Sequence, residues 1–266
     1  MKVKGEGFTS KVGSKEAEQI VSRNSEVFRS FEATIFECKS FVESVDISRQ
    51  ETEEDRQKII ALVVVVRLLE ITEAALLIMR NGMSNEANTM FRVFLDAYFV
   101  FANICSDATF VANYFKSDEA ARLKLLNSVE KHDSELFKRI NEYATEELKT
   151  ELKQKIREEN IQAFNSYAYA YNVGCSEIYD SMYRLMSAPL HTTPRSLEKY
   201  VKEDENGNIV EIKYYPVEDD IPQRVYDFTY FLIKIINGLK EVFGCLNTEE
   251  IEAMIEKLNN SVKQKT

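Results

Sequence analysis

The chain of 266 residues is poor in the residues that end or bend regular structure, with eight glycines and four prolines. This scarcity predicts long runs of regular secondary structure. Cysteine is also rare: Cys38, Cys105, Cys175 and Cys245 are widely spaced and form no C-x-x-C pair. The spacing argues against a disulfide framework and against a zinc site. It favours reduced thiols in a cytoplasmic protein.

Positive charge is in deficit, since 34 Lys and Arg face 44 Asp and Glu, giving a formal net charge of −10 at pH 7. Such a charge opposes broad attraction to nucleic acid or to anionic lipid, and it excludes a protein that coats DNA. A local basic pocket remains compatible with it. The first seven residues contain no apolar signal region, so no secretory leader is expected.

The longest apolar run, residues 59–79, approaches the length of a membrane span. It contains Arg67, Glu70 and Glu73, and each charge at mid-membrane costs at least about 2.5 kcal/mol on insertion scales. We therefore expect a buried core helix and no membrane association.

What the chain has in abundance is Glu, Lys, Leu and Ala, which favour helix. Apolar residues recur at helical spacing, which predicts an all-α, multi-helix bundle. Residues 1–13 are expected to form a flexible N-terminal tail and residues 14–266 a single helical domain. The expected helices cover 14–43, 52–80, 84–105, 107–116, 118–141, 144–158, 160–172, 176–188, 221–243 and 248–262, with a brief helical turn after Thr193.

Residues 199–215 have a different pattern. Tyr200 and Val201 precede the turn-forming stretch Glu205–Asn208, and alternating apolar residues follow from Ile209. This pattern predicts one β-hairpin inserted into the helical body.

The third predicted helix carries a narrow polar stripe on an otherwise apolar surface, made of Asn85, Asn88, Arg92, Asp96 and Asn103. Arg92 and Asp96 are four residues apart and can pair along the helix. One interpretation is that the stripe faces solvent. The other is a buried polar seam, in which each charge needs a partner and which positions a histidine from another helix.

The segment from Tyr183 to Pro194 supplies that histidine, His191, with Tyr183, Arg184 and Ser187 upstream of it. The helix that carries them is expected to end at residue 188, because Pro189 disfavours helical geometry at the residue before it. One hypothesis is that His191 caps the helix end or satisfies a buried backbone group. The other makes His191 a general acid/base, with Arg184 holding a phosphate and Ser187 hydrogen-bonding nearby.

Other chemical motifs are absent from the sequence. It contains no histidine–carboxylate spacing typical of a metal site, no glycine-rich phosphate loop and no nucleophile elbow. Neither a metal nor another cofactor is expected. The second histidine, His132, lies in a charged segment and is expected to be exposed without a role.

Two segments resemble an uncharacterised family of bacterial helical proteins, a domain of unknown function. The family pairs an R-x-x-x-[E/D]-A helix with a later Y-x-x-x-S-x-x-x-H segment, here Arg92–Ala97 and Tyr183–His191. In the first segment, Asp96 stands where the family more often has Glu. The resemblance covers roughly residues 55–240.

The spacing of Arg184 and His191 also resembles the R-x(4–6)-H signature of HEPN (higher eukaryotes and prokaryotes nucleotide-binding) proteins. This resemblance implies an all-α bundle, often dimeric, that acts as a metal-independent endoribonuclease in a bacterial toxin or phage-defence system. His191 would transfer a proton at the 2′-hydroxyl or the leaving group, and Arg184 would stabilise the phosphorane-like charge. Leu185 stands where these nucleases often place a polar residue.

A hypothesis of a different class is a non-catalytic helical sensor or protein-interaction module in such a system. Here His191 and Ser187 would hold a helix end, and Arg92–Asp96 would be a structural ion pair. The expected partners are RNA at a local site, and a second copy in a homodimer or another protein.

Overall fold

The computed structural model describes residues 2–45, 52–129, 135–138 and 143–244. His132, Cys245 and the helix predicted at 248–262 lie outside the described residues. Within them, the all-α class with a small β insertion is confirmed. The helices are α1 (Lys11–Arg23), α2 (Ser25–Ser44), α3 (Glu53–Arg80), α4 (Ser84–Ser106), α5 (Phe110–Val129), α6 (Glu146–Glu158), α7 (Ser166–Asn172), α8 (Ser176–Ile178, a π-helical turn at Tyr179–Tyr183, then Arg184–Leu190), α9 (Pro194–Leu197) and α10 (Ile221–Phe243).

Helix α3 begins and ends at the residues that the capping and turn signals of its sequence predict. Thr52 and Asp55 form a reciprocal capping box, each side chain accepting a hydrogen bond of 3.1 Å from the other's backbone N–H. The chain then turns at Gly82, whose φ of +68° suits glycine. Helix α4 follows at once, so α3 and α4 pack as antiparallel neighbours.

The single helix predicted over 14–43 is instead two helices, α1 and α2, separated by Asn24. Asn24 leaves helical geometry (φ −105°, ψ 19°), and its side-chain amide donates a 3.0 Å hydrogen bond to the carbonyl of Ile20. Such a side-chain bond to backbone competes with the helix and breaks it. The prediction for α5 was wrong in the opposite sense: two helices were predicted, at 107–116 and 118–141, and the structure has one continuous helix over Phe110–Val129.

The predicted hairpin is confirmed as strands β2 (Val201–Glu203) and β3 (Ile209–Lys213), which pair antiparallel. A third strand, β1 (Lys2–Lys4), pairs in parallel with the other edge of β3. Beyond the ladder, Tyr214 N–H donates to the carbonyl of Lys4 at 2.8 Å. Residues 1–13 were predicted to form a flexible tail, whereas Lys2–Lys4 within them form a strand on the edge of β3.

The core is aromatic and lies mainly between α4 and α10. Phe228 packs edge-on against Phe91 and Phe94, with ring centroids 4.9 Å and 5.1 Å apart. These three side chains and Phe231 are fully buried. Helix α3, predicted to be a core helix, also contributes buried side chains to this core.

By length and composition, α4 is the one described helix that could span a membrane, and half of its most apolar stretch is buried inside the protein.

Helix α8 does not end before Pro189 as predicted. It continues to Leu190, and the chain turns at Thr192, which has a positive φ of 49°. Contacts of α8 with α4, including the burial of Tyr183, hold this last segment in helical form. Tertiary packing here overrides a local preference.

Candidate functional site

A group of polar side chains joins α4, α7 and α8, and we call it the polar cluster. It consists of Arg92 and Asp96 on α4, Ser166 at the start of α7, and Tyr183 and Ser187 on α8. The i, i+4 spacing of Arg92 and Asp96 places both on the face of α4 that meets the other two helices.

Asp96 is the centre of the polar cluster. One carboxylate oxygen, Oδ2, pairs with the guanidinium of Arg92. The other, Oδ1, accepts hydrogen bonds from the hydroxyls of Ser166 and Tyr183, the latter at 3.0 Å. A single carboxylate therefore binds groups from three helices.

Arg92 connects the cluster to the last segment of α8. Its Nε donates to Ser187 Oγ at 3.2 Å, and its guanidinium carbon lies 3.6 Å from the centroid of the Tyr183 ring. Ser187 Oγ in turn donates to the carbonyl of Tyr183 at 2.8 Å. This geometry combines a hydrogen bond with a cation–π contact.

The cluster lies between helices rather than on an open surface. The side chains of Arg92 and Asp96 are 14% and 28% exposed, respectively. Of the other stripe residues, Asn88 and Asn103 are buried, and Asn103 Nδ2 donates to the carbonyls of Phe99 and Tyr169. These contacts agree with a polar seam between helices better than with a stripe that faces solvent. The histidine that the seam was predicted to position, His191, does not contact it.

Tyr183 remains a neutral hydrogen-bond donor within the cluster. Burial raises its pKa to about 12, and the neighbouring Asp96 carboxylate adds to the rise. The phenolate would be both desolvated and adjacent to a negative charge, so it is disfavoured on two counts.

Arg184 and His191 lie outside the cluster, on the solvent side of the same segment. The Arg184 side chain is 65% exposed and pairs with Asp180 at 3.2 Å. His191 is exposed immediately after α8 and forms no hydrogen bond or ion pair with the described part of the chain. The structure thus brings Arg92, Asp96, Tyr183 and Ser187 together and leaves the other two predicted site residues facing solvent.

A chain of tyrosine rings lies beside Arg184 and was not predicted from the sequence; we call it the tyrosine ladder. Its centroid distances are 4.2 Å between Tyr171 and Tyr167, 5.4 Å between Tyr167 and Tyr179, and 4.5 Å between Tyr179 and Tyr183. Tyr167 and Tyr171 are 45% and 41% exposed. The i, i+4 spacing of Tyr167 with Tyr171, and of Tyr179 with Tyr183, was the signal that could have identified these two pairs. The contact between Tyr167 and Tyr179 depends on how α7 and α8 pack.

Two cavities lie outside the polar cluster and the tyrosine ladder. A polar cavity of about 70 Å³ near His191 is lined by Asn85, Glu86, Thr89, Thr192, Ser196, Leu197 and Tyr200. A larger, apolar one of about 270 Å³ lies between the start of α3 and α5. Among the described residues, no three His, Cys, Asp or Glu side chains are grouped so as to hold a metal ion.

The fold and the site define a helical-bundle protein whose central helix is joined to two others by a partly buried polar cluster. The chain belongs to the family of unknown function DUF5677, whose family model matches residues 58–209. The match runs from α3 into β3 and includes the polar cluster, Arg184 and His191. Comparison with curated proteins and with solved structures gives no significant match.

Proposed function

We propose that this protein is a HEPN-like, metal-independent endoribonuclease of a bacterial toxin or phage-defence system, acting in the cytoplasm. The observation that carries the proposal is the continuation of α8 through Pro189 to Leu190. Arg184 and His191 thus lie on one segment, seven residues or about two helical turns apart, which corresponds to roughly 10 Å along a helix axis. Both are exposed to solvent.

The chemistry needs one proton-transfer group and one fixed positive charge. The 2′-oxygen of RNA attacks the adjacent phosphorus and loses its proton. The P–O bond to the 5′-oxygen breaks, and that oxygen gains a proton. His191 serves one of these transfers, because imidazole is the side chain best suited to accept or donate a proton in general acid–base catalysis. Arg184 stabilises the extra negative charge on the phosphoryl oxygens.

The polar cluster gives Arg92 and Asp96 a positioning role in this proposal. Arg92 bonds Ser187, which lies between Arg184 and His191 in the sequence. Through this bond the cluster fixes the end of α8 against α4. Neither Arg92 nor Asp96 needs to touch RNA for its loss to reduce cleavage.

The test is cleavage of an RNA substrate in EDTA by the full chain. We expect His191→Ala and Arg184→Ala to lose about 100-fold or more in rate, and Arg184→Lys to retain part of it. His132→Ala, which removes the other histidine, is the matched control and should cleave like wild type. Equal cleavage by wild type and His191→Ala would overturn the proposal.

A second candidate is the non-catalytic helical sensor or interaction module. It is favoured by the polar cluster, in which both Asp96 oxygens are engaged by neighbouring side chains. Strand β2 also forms an edge of the small sheet, where a partner strand can be added. This hypothesis predicts no cleavage by wild type. It also predicts loss of partner binding when proline replaces Lys202 on β2.

A further inference from the structure

We infer that Tyr167 and Tyr171 form a stacking surface for the bases of single-stranded RNA, beside Arg184. This inference rests on the proposed function and names its substrate class. The two rings lie 4.2 Å apart between centroids and are 45% and 41% exposed. Exposed aromatic rings next to an arginine are the elements that bind unpaired bases without sequence preference.

The two rings are held in place without a ligand. The Tyr171 hydroxyl donates a 2.7 Å hydrogen bond to Asp180 Oδ2, whose other oxygen pairs with Arg184. Tyr167 packs edge-on against Tyr179, with centroids 5.4 Å apart. Because the rings are already ordered, a base that stacks on them pays little additional entropy cost.

The ladder also links this surface to the proposed site. Arg184 lies 5.9 Å from the Tyr179 ring, and Arg92 lies over the Tyr183 ring at the other end of the ladder. A strand whose base stacks on Tyr167 or Tyr171 therefore runs past Arg184, the proposed phosphate contact, on the same helix that leads to His191.

Single-stranded RNA fits this surface better than a duplex does. Bases within a duplex are stacked on one another and do not present their faces. The net charge of −10 opposes the dense phosphates of a duplex, and Asp180 balances much of the charge of Arg184 locally. Stacking should therefore contribute more to binding than phosphate neutralisation, with a shallow salt dependence of about −0.7 to −1.4 in log K against log salt for one or two phosphates.

The experiment measures binding of a fluorescein-labelled, single-stranded RNA 10-mer to the full chain carrying His191→Ala in EDTA. We expect Tyr167→Ser and Tyr171→Ser each to weaken binding about tenfold, and Tyr167→Phe to restore it. Tyr230→Ser is the matched control, since Tyr230 is 40% exposed on α10. Because the chain has no tryptophan, quenching of tyrosine emission gives a second readout.

Affinity unchanged by both serine variants would overturn the inference, and so would equal affinity for duplex RNA of the same sequence. Circular dichroism melts show that each variant is folded. Cleavage tests the proposed function separately: if His191→Ala cleaves like wild type while binding still depends on Tyr167 and Tyr171, the chemistry fails and the stacking surface stands. If cleavage requires His191 and the serine variants bind RNA normally, the stacking surface fails and the proposed chemistry stands.

Discussion

At the scale of single residues, Asp96 has the largest structural role in the site, because its carboxylate is shared by Arg92, Ser166 and Tyr183. The sequence could predict that Asp96 and Arg92 pair, since four-residue spacing places them together on any helix. It could not predict Ser166, because a serine carries no periodic signal and its contact depends on how α7 docks on α4.

Replacing Asp96 should therefore destabilise the fold more than breaking an ordinary surface ion pair does. Asp96→Ala removes the carboxylate that pairs with Arg92, 14% exposed, and that accepts the hydrogen bond of the Tyr183 hydroxyl, so we expect a loss of about 2 kcal/mol in the free energy of unfolding. The control is Glu70→Ala, which breaks an exposed pair with Arg67 and should cost less than about 0.5 kcal/mol. Urea denaturation measures both, and similar losses would contradict the structural role of Asp96.

The raised pKa of Tyr183 predicts a pH dependence of stability. Its pKa is near 10 in an unfolded chain and about 12 when folded, so the folded state holds the proton more tightly. The resulting stabilisation is fully present below pH 10 and is lost as the pH rises to 12. Tyr183→Phe removes this titration, so its stability should fall less steeply than that of wild type over this window. Parallel curves of urea midpoint against pH would show that Tyr183 does not contribute.

At the scale of helices and strands, the turn between α3 and α4 is a crowded junction next to the helix that carries Arg92 and Asp96. A Cβ on Gly82 would lie 2.7 Å from side-chain atoms of Ile20 and Pro216 and 2.9 Å from the backbone nitrogen of Val217. The carbonyl of Gly82 also accepts a 2.9 Å hydrogen bond from Val217. The turn thus joins α1, α4 and the segment leading to α10.

Gly82→Ala should consequently lower the free energy of unfolding by more than backbone strain alone would. Left-handed geometry costs a non-glycine residue about 1–2 kcal/mol, and the crowding adds a further 1–3 kcal/mol or so. Gly207→Ala is the control, because Gly207 also has a positive φ, +79°, but has no atom within 4 Å of the added Cβ. Thermal unfolding should show the Gly82 variant losing clearly more stability, and equal losses would rule out the crowding.

Several element boundaries agree with prediction for identifiable reasons. The capping box at Thr52 and the apolar periodicity of α4 and α10 are local signals, and those helices begin and end within a residue or so of prediction. The parallel pairing of β1 with β3 was not predictable in the same way. Its residues, Lys-Val-Lys, are too few to show an alternating pattern, and their partners begin at Glu211, far along the chain.

At the scale of the whole molecule, burial is unevenly distributed. Helices α4 and α10 each contribute a dozen buried residues, including six fully buried phenylalanines of the core. In α5 the buried residues are Val111, Ser117, Leu126 and Val129, and in α6 they are Lys149 and Leu152. Helices α5 and α6 pack mainly on each other, so they form a peripheral pair beside the aromatic core.

This distribution predicts the order in which the molecule opens. Local opening is favoured where few apolar side chains are buried, so amides of α5 and α6 should exchange with deuterium well before those of α4 and α10. Hydrogen-exchange mass spectrometry in native buffer measures the order by peptide. Leu152→Ala in α6 is expected to speed exchange in the α5–α6 pair and leave α4 protected, because α6 contributes little to the core around Phe91. Uniform acceleration across all helices would instead mean that the bundle unfolds as one cooperative unit.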